Sequence, residues 1–123
     1  MPEKPTILVV DDENMVRINL VAFLEDEGFE VLSAGSGEDA LDLLQNNKAD
    51  LGIIDMRLPG MDGNELIATA KQRFPHMHFV IHTGSTEYTL PDHLIELGLS
   101  DEQVMHKPLP DMGLLVDKLR GLM

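Results

Sequence analysis

The sequence predicts an α/β fold in which a doubly wound, five-stranded parallel sheet lies between two layers of helices. Five short, mainly apolar runs of strand length alternate with segments whose apolar residues recur at helical spacing. Several of these runs are continuously apolar, as strands buried on both faces must be. Because βαβ connections are right-handed, five such units in succession form a parallel sheet covered by helices on both faces.

The predicted strands are bounded by changes in residue type. The first is an uninterrupted run of Thr, Ile, Leu and Val that stops at two aspartates, and the third and fourth also stop at a polar side chain. The predicted strands are residues 6–10, 29–34, 51–55, 78–83 and 103–106. Residues 56–61 contain Pro59-Gly60, so we expect a loop after the third strand.

The predicted helices begin and end at recognisable signals. Ser36 and Asp62 each precede a helical segment and have an acidic residue three positions later, which is the spacing of a capping box. Gly28 and Gly98 end the first and fourth helices. Pro91 has no backbone donor, so the fourth helix starts at residue 90 or 91 and has only about two turns. The predicted helices are residues 13–27, 36–47, 62–74, 90–98 and 112–122.

Length and charge restrict the class of protein. The 123 residues are enough for one domain, which we assign to residues 1–123. Nine basic and 22 acidic residues give a net charge of −13, which disfavours direct binding to nucleic acid or to anionic membranes. There is no cysteine, so disulfides and zinc–thiolate sites are excluded. No segment approaches the ~20 apolar residues of a membrane span or resembles a signal peptide, so we expect a cytoplasmic protein.

Polar residues stand where four of the apolar runs end. They are Asp11 and Asp12 after the first run, Asp55 after the third, Thr83 after the fourth and Lys107 after the fifth. Ligands of open parallel sheets bind outside the carboxyl ends of the strands, so we expect one pocket. Carboxylates ~4 Å apart repel by about 4 kcal/mol per pair at a surface-like dielectric. Mg²⁺ is the natural counter-charge, and Lys107 adds a fixed one.

Such a pocket is equipped to accept a phosphoryl group. A carboxylate beside a metal ion, with a lysine and a hydroxyl nearby, can form an acyl phosphate. Each residue also has a plainer interpretation: Asp11 or Asp12 could cap the first helix, Thr83 could be a turn residue, and Lys107 could be a solvated charge. The joint occurrence at four strand ends favours the site.

Four motifs carry a resemblance to a known family. Residues 7–13 read Ile-Leu-Val-Val-Asp-Asp-Glu, residues 53–63 read Ile-Ile-Asp-Met-Arg-Leu-Pro-Gly-Met-Asp-Gly, and Thr83-Gly84 and Lys107-Pro108 follow. With these motifs, and over essentially its whole length, the sequence resembles the receiver domain of two-component response regulators. The resemblance implies a CheY-like, flavodoxin-like (βα)5 three-layer sandwich.

The resemblance also implies a role for each strand-end residue. Asp55 would be the aspartate that is phosphorylated by a partner histidine kinase. The implied Mg²⁺ ligands are Asp12 directly, Asp11 mainly through water, Asp55, and the backbone carbonyl of Arg57. Thr83 and Lys107 would be the catalytic residues, the first turning toward the phosphoryl oxygens and the second pairing with them.

The family transmits phosphorylation to a surface formed by the fourth helix, fifth strand and fifth helix, and this sequence departs from the family there. Val104 stands where Tyr or Phe is usual, which predicts activation without the aromatic rotamer change by which many family members couple the site to this surface. An insertion lies within residues 99–103, and Pro91 shortens the fourth helix. Val104 and Pro108 are the candidate switch residues of this output surface.

The resemblance predicts a phosphorelay acceptor and not an enzyme. Its implied partners are a sensor histidine kinase or a histidine phosphotransfer protein, and an unidentified effector; a phosphorylation-dependent homodimer is a further candidate. Two alternatives remain: a pseudo-receiver that serves only as an interaction module, and an aspartyl-phosphate phosphatase, which normally has Asp-x-Asp after the first strand and a cap domain. The five histidines are expected on the surface, since no pair has i, i+4 spacing within a predicted helix.

Overall fold

Five parallel strands form the centre of the molecule in the computed structural model, which describes residues 4–107 and 112–122. The strands are β1 Thr6–Val10, β2 Glu30–Ala34, β3 Leu51–Ile54, β4 His78–Thr83 and β5 Val104–His106. They pair in the order β2-β1-β3-β4-β5. The chain therefore winds outward in both directions from β1 and β3, and the predicted doubly wound α/β sandwich is confirmed.

Five helices cover the two faces of this sheet. They are α1 Asn14–Asp26, α2 Gly37–Asn46, α3 Gly63–Arg73, α4 Asp92–Glu96 and α5 Met112–Leu122. The hydroxyl of Ser36 accepts the N–H of Asp39 at 3.2 Å, and Oδ1 of Asp62 accepts the N–H of Glu65 at 2.9 Å, so both predicted caps are present. Within the described part of the chain, no helix has the length and apolar character needed to span a bilayer.

Successive side chains of each strand point to opposite faces of the sheet, and this divides the core into two clusters. The cluster beneath α2, α3 and α4 includes Leu8, Val10, Ile54, Leu66, Phe79, Ile81 and Leu94. The cluster beneath α1 and α5 includes Ile7, Val9, Leu20, Ile53, Val80, Leu115 and Leu119. Since strands β1, β3 and β4 contribute to both clusters, their uninterrupted apolar sequences follow from burial on both faces.

The segment before β5, where the resemblance places an insertion, has a structure that the sequence did not reveal. Residues Asp101–Gln103 form a 3₁₀ turn, so β5 begins one residue later than predicted. Ser100 donates its backbone N–H to Oε1 of Gln103 at 2.9 Å, and Nε2 of the same glutamine donates to the buried carbonyl of Phe79 at 2.8 Å. A single amide side chain therefore caps the turn and fastens it to β4.

The fourth helix is shorter than the two turns predicted. It has five residues, Asp92–Glu96, with Pro91 at the N-cap position. Gly98 has a φ of +104°, a left-handed conformation that ends the helix and favours glycine. Most of the connection after β4 is therefore loop.

The cap of α3 is directly testable. Replacing Asp62 by Ala leaves the N–H of Glu65 without its acceptor, so we expect Asp62→Ala to lower the free energy of unfolding by about 1 kcal/mol. Urea denaturation followed by circular dichroism measures this change. Asp42→Ala, which removes an exposed carboxylate from α2 and changes the net charge equally, is the control. Equal urea midpoints for the two variants would contradict the capping role.

Candidate functional site

The strand register brings three carboxylates together at the carboxyl edge of the sheet. Asp11 and Asp55 directly follow β1 and β3, whose last residues are paired in register, and the N–H of Asp55 donates to the carbonyl of Val10 at 2.9 Å. Asp11, Asp12 and Asp55 each offer one oxygen, and all three oxygens lie within 4.8 Å of one another. Asp11 is 1% exposed and Asp55 is 4% exposed, whereas Asp12 faces solvent.

Asp11 has a structural role in addition to its place in the cluster. Its Oδ1 accepts the N–H of Glu13 at 2.9 Å, which shapes the turn into α1. Its backbone carbonyl accepts from Nη1 of Arg17 at 2.6 Å. The helix cap considered as the plainer interpretation of this aspartate is not formed, because Glu13 is the N-cap residue of α1 and α1 has no side-chain cap hydrogen bond. Oδ1 of Asp11 instead fixes the turn before the helix, and Oδ2 pairs with Lys107.

Lys107 supplies the positive charge of the cluster. Its Nζ lies 2.9 Å from Oδ2 of Asp11, 3.5 Å from Oδ2 of Asp55 and 3.8 Å from Oε1 of Glu13. Burial disfavours the ammonium form, but the hydrogen bond and charge of Asp11, with the charges of Asp55 and Glu13, outweigh it and raise the pKa of Lys107. The lysine is therefore a permanent cation that bridges the two buried aspartates.

One lysine does not neutralise the carboxylates. Burial, followed by repulsion from Asp11, raises the pKa of Asp55 to about 6 against the opposing effects of Lys107 and the N–H of Arg57. Hard carboxylate oxygens at this spacing suit Mg²⁺, which binds proteins through one or two carboxylates and fills its other positions with water or phosphate oxygens. The donor set therefore fits this metal, and a divalent cation would favour the charged form of Asp55.

The remaining predicted residues occupy different parts of this edge. Thr83 is buried at the end of β4, where its carbonyl accepts the N–H of Lys107 at 2.8 Å and its Oγ1 accepts the N–H of Ser85 at 3.1 Å. Arg57 is exposed, and its N–H lies 3.4 Å from Oδ1 of Asp55. Its carbonyl as a metal ligand stays a prediction.

Of the two candidate switch residues, Val104 is the one within the described part of the chain. Val104 pairs in register with Ile81 and packs, partly buried, against the cluster beneath α2, α3 and α4. Pro108 lies outside the described residues. The described structure therefore brings together the three aspartates and Lys107, and it places Thr83 beside them with its hydroxyl directed to the following loop.

Sequence reasoning missed the steric role of Gly63. A Cβ atom at this first residue of α3 would collide with the backbone carbonyl of Asp55 and with Met56. The N–H of Gly63 donates to the carbonyl of Met56 at 3.3 Å. A glycine directly after the capping Asp62 could have signalled this close approach between α3 and the loop after β3.

The prediction that every histidine lies on the surface was wrong for His82. This side chain is 6% exposed, and neither ring nitrogen has a hydrogen-bond partner among the described residues. Extending the register of Ile54 with Ile81 places His82 level with Asp55. Burial and the charge of Lys107, partly opposed by Asp11, lower the pKa of His82 to about 4. The ring is therefore neutral beside the site at pH 7.

Comparison with known proteins identifies the family. Residues 7–120 match the family described as response regulator receiver domain. The chain is 35% identical over 92 residues to sporulation initiation phosphotransferase F of Bacillus subtilis, covering 75% of this chain and 74% of that protein. It is 37% identical over 94 residues to transcriptional activator protein ExaE of Pseudomonas putida, covering 75% of this chain and 44% of that protein. The chain therefore belongs to the response regulator receiver domain family.

A solved structure matches this chain over nearly its whole length. Response regulator protein TrrA from Thermotoga maritima, in complex with Mg²⁺ and beryllofluoride, has a TM-score of 0.84 and 28% identity, covering 97% of this chain and 99% of that one. The fold and the aspartate cluster found here are consistent with a phosphoacceptor. The match spans less than half the length of ExaE.

His82 predicts a specific acid sensitivity. Its folded pKa lies below the unfolded value, so the unfolded chain takes up the proton first and the contribution of His82 to the free energy of unfolding falls as pH drops from 6.5 to about 4, by at most about 3 kcal/mol. His82→Leu should remove this fall, as measured by urea denaturation across that range without metal ions. His78→Leu, at an exposed position of the same strand, is the control. Parallel pH profiles for the wild type and His82→Leu would refute the assignment.

Proposed function

We propose that Asp55 is the phosphoacceptor of a two-component phosphorelay and that the chain acts as a switch. The observation that supports this most directly is the position of Asp55: a buried carboxylate within the three-aspartate cluster, 3.5 Å from Nζ of Lys107. Its donor would be a phosphohistidine on a sensor kinase or on a histidine phosphotransfer protein. The relative named a phosphotransferase is consistent with such a chain of transfer.

The transfer follows from the chemistry of these side chains. An ionised Oδ of Asp55 attacks the phosphorus, a P–O bond forms and the P–N bond to the donor imidazole breaks. The imidazole nitrogen keeps the electron pair of the broken bond and takes up a proton from solvent. Lys107 then pairs with a phosphoryl oxygen, and the hydroxyl of Thr83 donates to another. To donate there, Thr83 must turn its Oγ1 away from the N–H of Ser85.

Asp11, Asp12 and Asp55, with the backbone carbonyl of Arg57, would hold Mg²⁺. When bound, this ion would neutralise charge on the carboxylates and on the incoming phosphoryl oxygens. Oδ1 of Asp11 accepts the turn hydrogen bond from Glu13, and its Oδ2 lies 2.9 Å from Nζ of Lys107. Both carboxylate oxygens of Asp11 are therefore positioned before any phosphodonor arrives. Since Asp55 must be ionised to attack, its raised pKa makes the reaction depend on these neighbouring cations.

The proposed output is a conformational change and not metabolic turnover. A phosphoryl group adds about −1.5 to −2 charges and draws new hydrogen-bond donors toward it. We expect the receiver to act in the cytoplasm on an effector, in the same chain or in another protein, and α4, β5 and α5 remain the candidate surface for that effector or for a phosphorylation-dependent homodimer. The net charge of −13 argues against direct contact with nucleic acid.

Chemical phosphorylation tests this proposal. Incubation with Mg²⁺ and a small acyl phosphate or phosphoramidate should add one phosphoryl group that is labile to hydroxylamine, as read by intact-protein mass spectrometry. Asp55→Asn should stay unlabelled, whereas Asp42→Asn, with the same exchange at an exposed site, should be labelled like the wild type. Omitting Mg²⁺ should lower the labelling rate strongly. Equal labelling of Asp55→Asn would overturn the assignment, and no labelling of the wild type would favour a pseudo-receiver.

A further inference from the structure

Tyr88 joins the loop after β4 to the start of α3. Its hydroxyl donates a hydrogen bond of 2.8 Å to Oδ1 of Asn64, in the first turn of that helix. The half-buried ring packs against the core cluster beneath α2, α3 and α4. Burial and the charge of Asp62 raise the pKa of Tyr88 to about 12, so the hydroxyl remains protonated and available as a donor.

The opposite side of the same loop is tied to the phosphorylation site. The N–H of Ser85 donates to Oγ1 of Thr83 at 3.1 Å. The N–H of Tyr88 lies 3.5 Å from the carbonyl oxygen of Ser85, which closes a turn of the loop. A continuous run of contacts therefore joins the hydroxyl of Thr83 to α3, and the tyrosine is its last member.

The chemistry of Tyr88 suits a residue with two discrete states. Its ring is held by packing and by one directional hydrogen bond, which is either made or broken. Val104, at the position where the family resemblance expects an aromatic ring, has no polar group that could make or break such a bond. A coupling pathway needs an element with two arrangements, and the Tyr88–Asn64 hydrogen bond, connected to Thr83 through the loop, can supply them by being made or broken.

We propose that Tyr88 is the positioning residue through which the state of the site reaches the surface formed by α3 and residues 84–91. The inference rests on the proposed function. A phosphoryl group on Asp55 draws the hydroxyl of Thr83 toward the site, so the N–H of Ser85 loses its acceptor and the turn opens. Tyr88 then leaves Asn64 and becomes more exposed. Because coupling is reciprocal, the Tyr88–Asn64 bond also stabilises the resting arrangement of the site.

The composition of the chain makes this movement measurable. Tyr88 is the single tyrosine and there is no tryptophan, so tyrosine emission reports on this residue alone. Acrylamide quenching is compared with and without Mg²⁺ and beryllofluoride, which stands in for the phosphoryl group. The quenching constant should rise in the wild type and stay constant in Thr83→Ala, with binding verified by NMR. An unchanged or smaller constant in the bound wild type would overturn the proposal, as would a wild-type response in Thr83→Ala.

The reciprocal effect gives a second test with conservative variants. Tyr88→Phe removes only the hydroxyl, so beryllofluoride affinity measured by NMR titration should rise about two- to tenfold. Asn64→Ala should do the same, and the double variant should gain no more than either single one. Thr86→Ala is the control, since this exposed loop hydroxyl makes no hydrogen bond within the described structure. Wild-type affinity in Tyr88→Phe would contradict the coupling; a purely structural role would change urea stability alone.

The two proposals can fail separately. If beryllofluoride binds the wild type but not Asp55→Asn, while Tyr88 emission is unaltered, the coupling is wrong and the phosphoacceptor assignment stands. If beryllofluoride does not bind the wild type at all, both are wrong. If binding and the increase in quenching occur together and both disappear in Asp55→Asn, both are supported.

Discussion

Burial of two carboxylates at neighbouring strand ends is the constraint on which the rest of the site depends. Asp11 and Asp55 are almost fully buried, and the single lysine between them cannot balance both together with the exposed Asp12. The backbone cannot move them apart, because the N–H of Asp55 is fixed to the carbonyl of Val10. The fold therefore holds unbalanced negative charge at one place. Binding of a cation there, alone or together with a phosphoryl group, lowers the free energy of the folded state.

A small number of contacts connect this unbalanced negative charge to the surrounding elements. Gly63 allows α3 to start directly against the carbonyl of Asp55, and Thr83 joins Lys107 through the backbone and the next loop through its hydroxyl. A change in charge at the site thus reaches two segments at once, the start of α3 and the loop after β4. Tyr88 contacts both, which is why it is the natural residue to report on the site.

The sequence predicted the features of the fold and site that depend on local residue patterns and on the order of the strands. Continuous apolar runs and caps such as that of Ser36 place the sheet and helices within one or two residues, and the strand ends predict that the three aspartates and Lys107 meet. It could not predict features that depend on the distance between elements. Gln103 reaches the carbonyl of Phe79 only because the 3₁₀ turn before β5 folds back on β4, and the burial of His82 depends on how closely other elements pack around the end of β4.

The charge balance at the site is tested most directly by comparing the free energy of unfolding of the wild type and Asp55→Asn at pH 7. The folded state binds the Asp55 proton more tightly than the unfolded chain, so its contribution to stability is present at low pH and is lost as pH rises from 3.8 through 6. Without metal, Asp55→Asn should be more stable than the wild type by at most about 3 kcal/mol, and Mg²⁺ should narrow this gap. A less stable Asp55→Asn in the absence of metal would contradict the account.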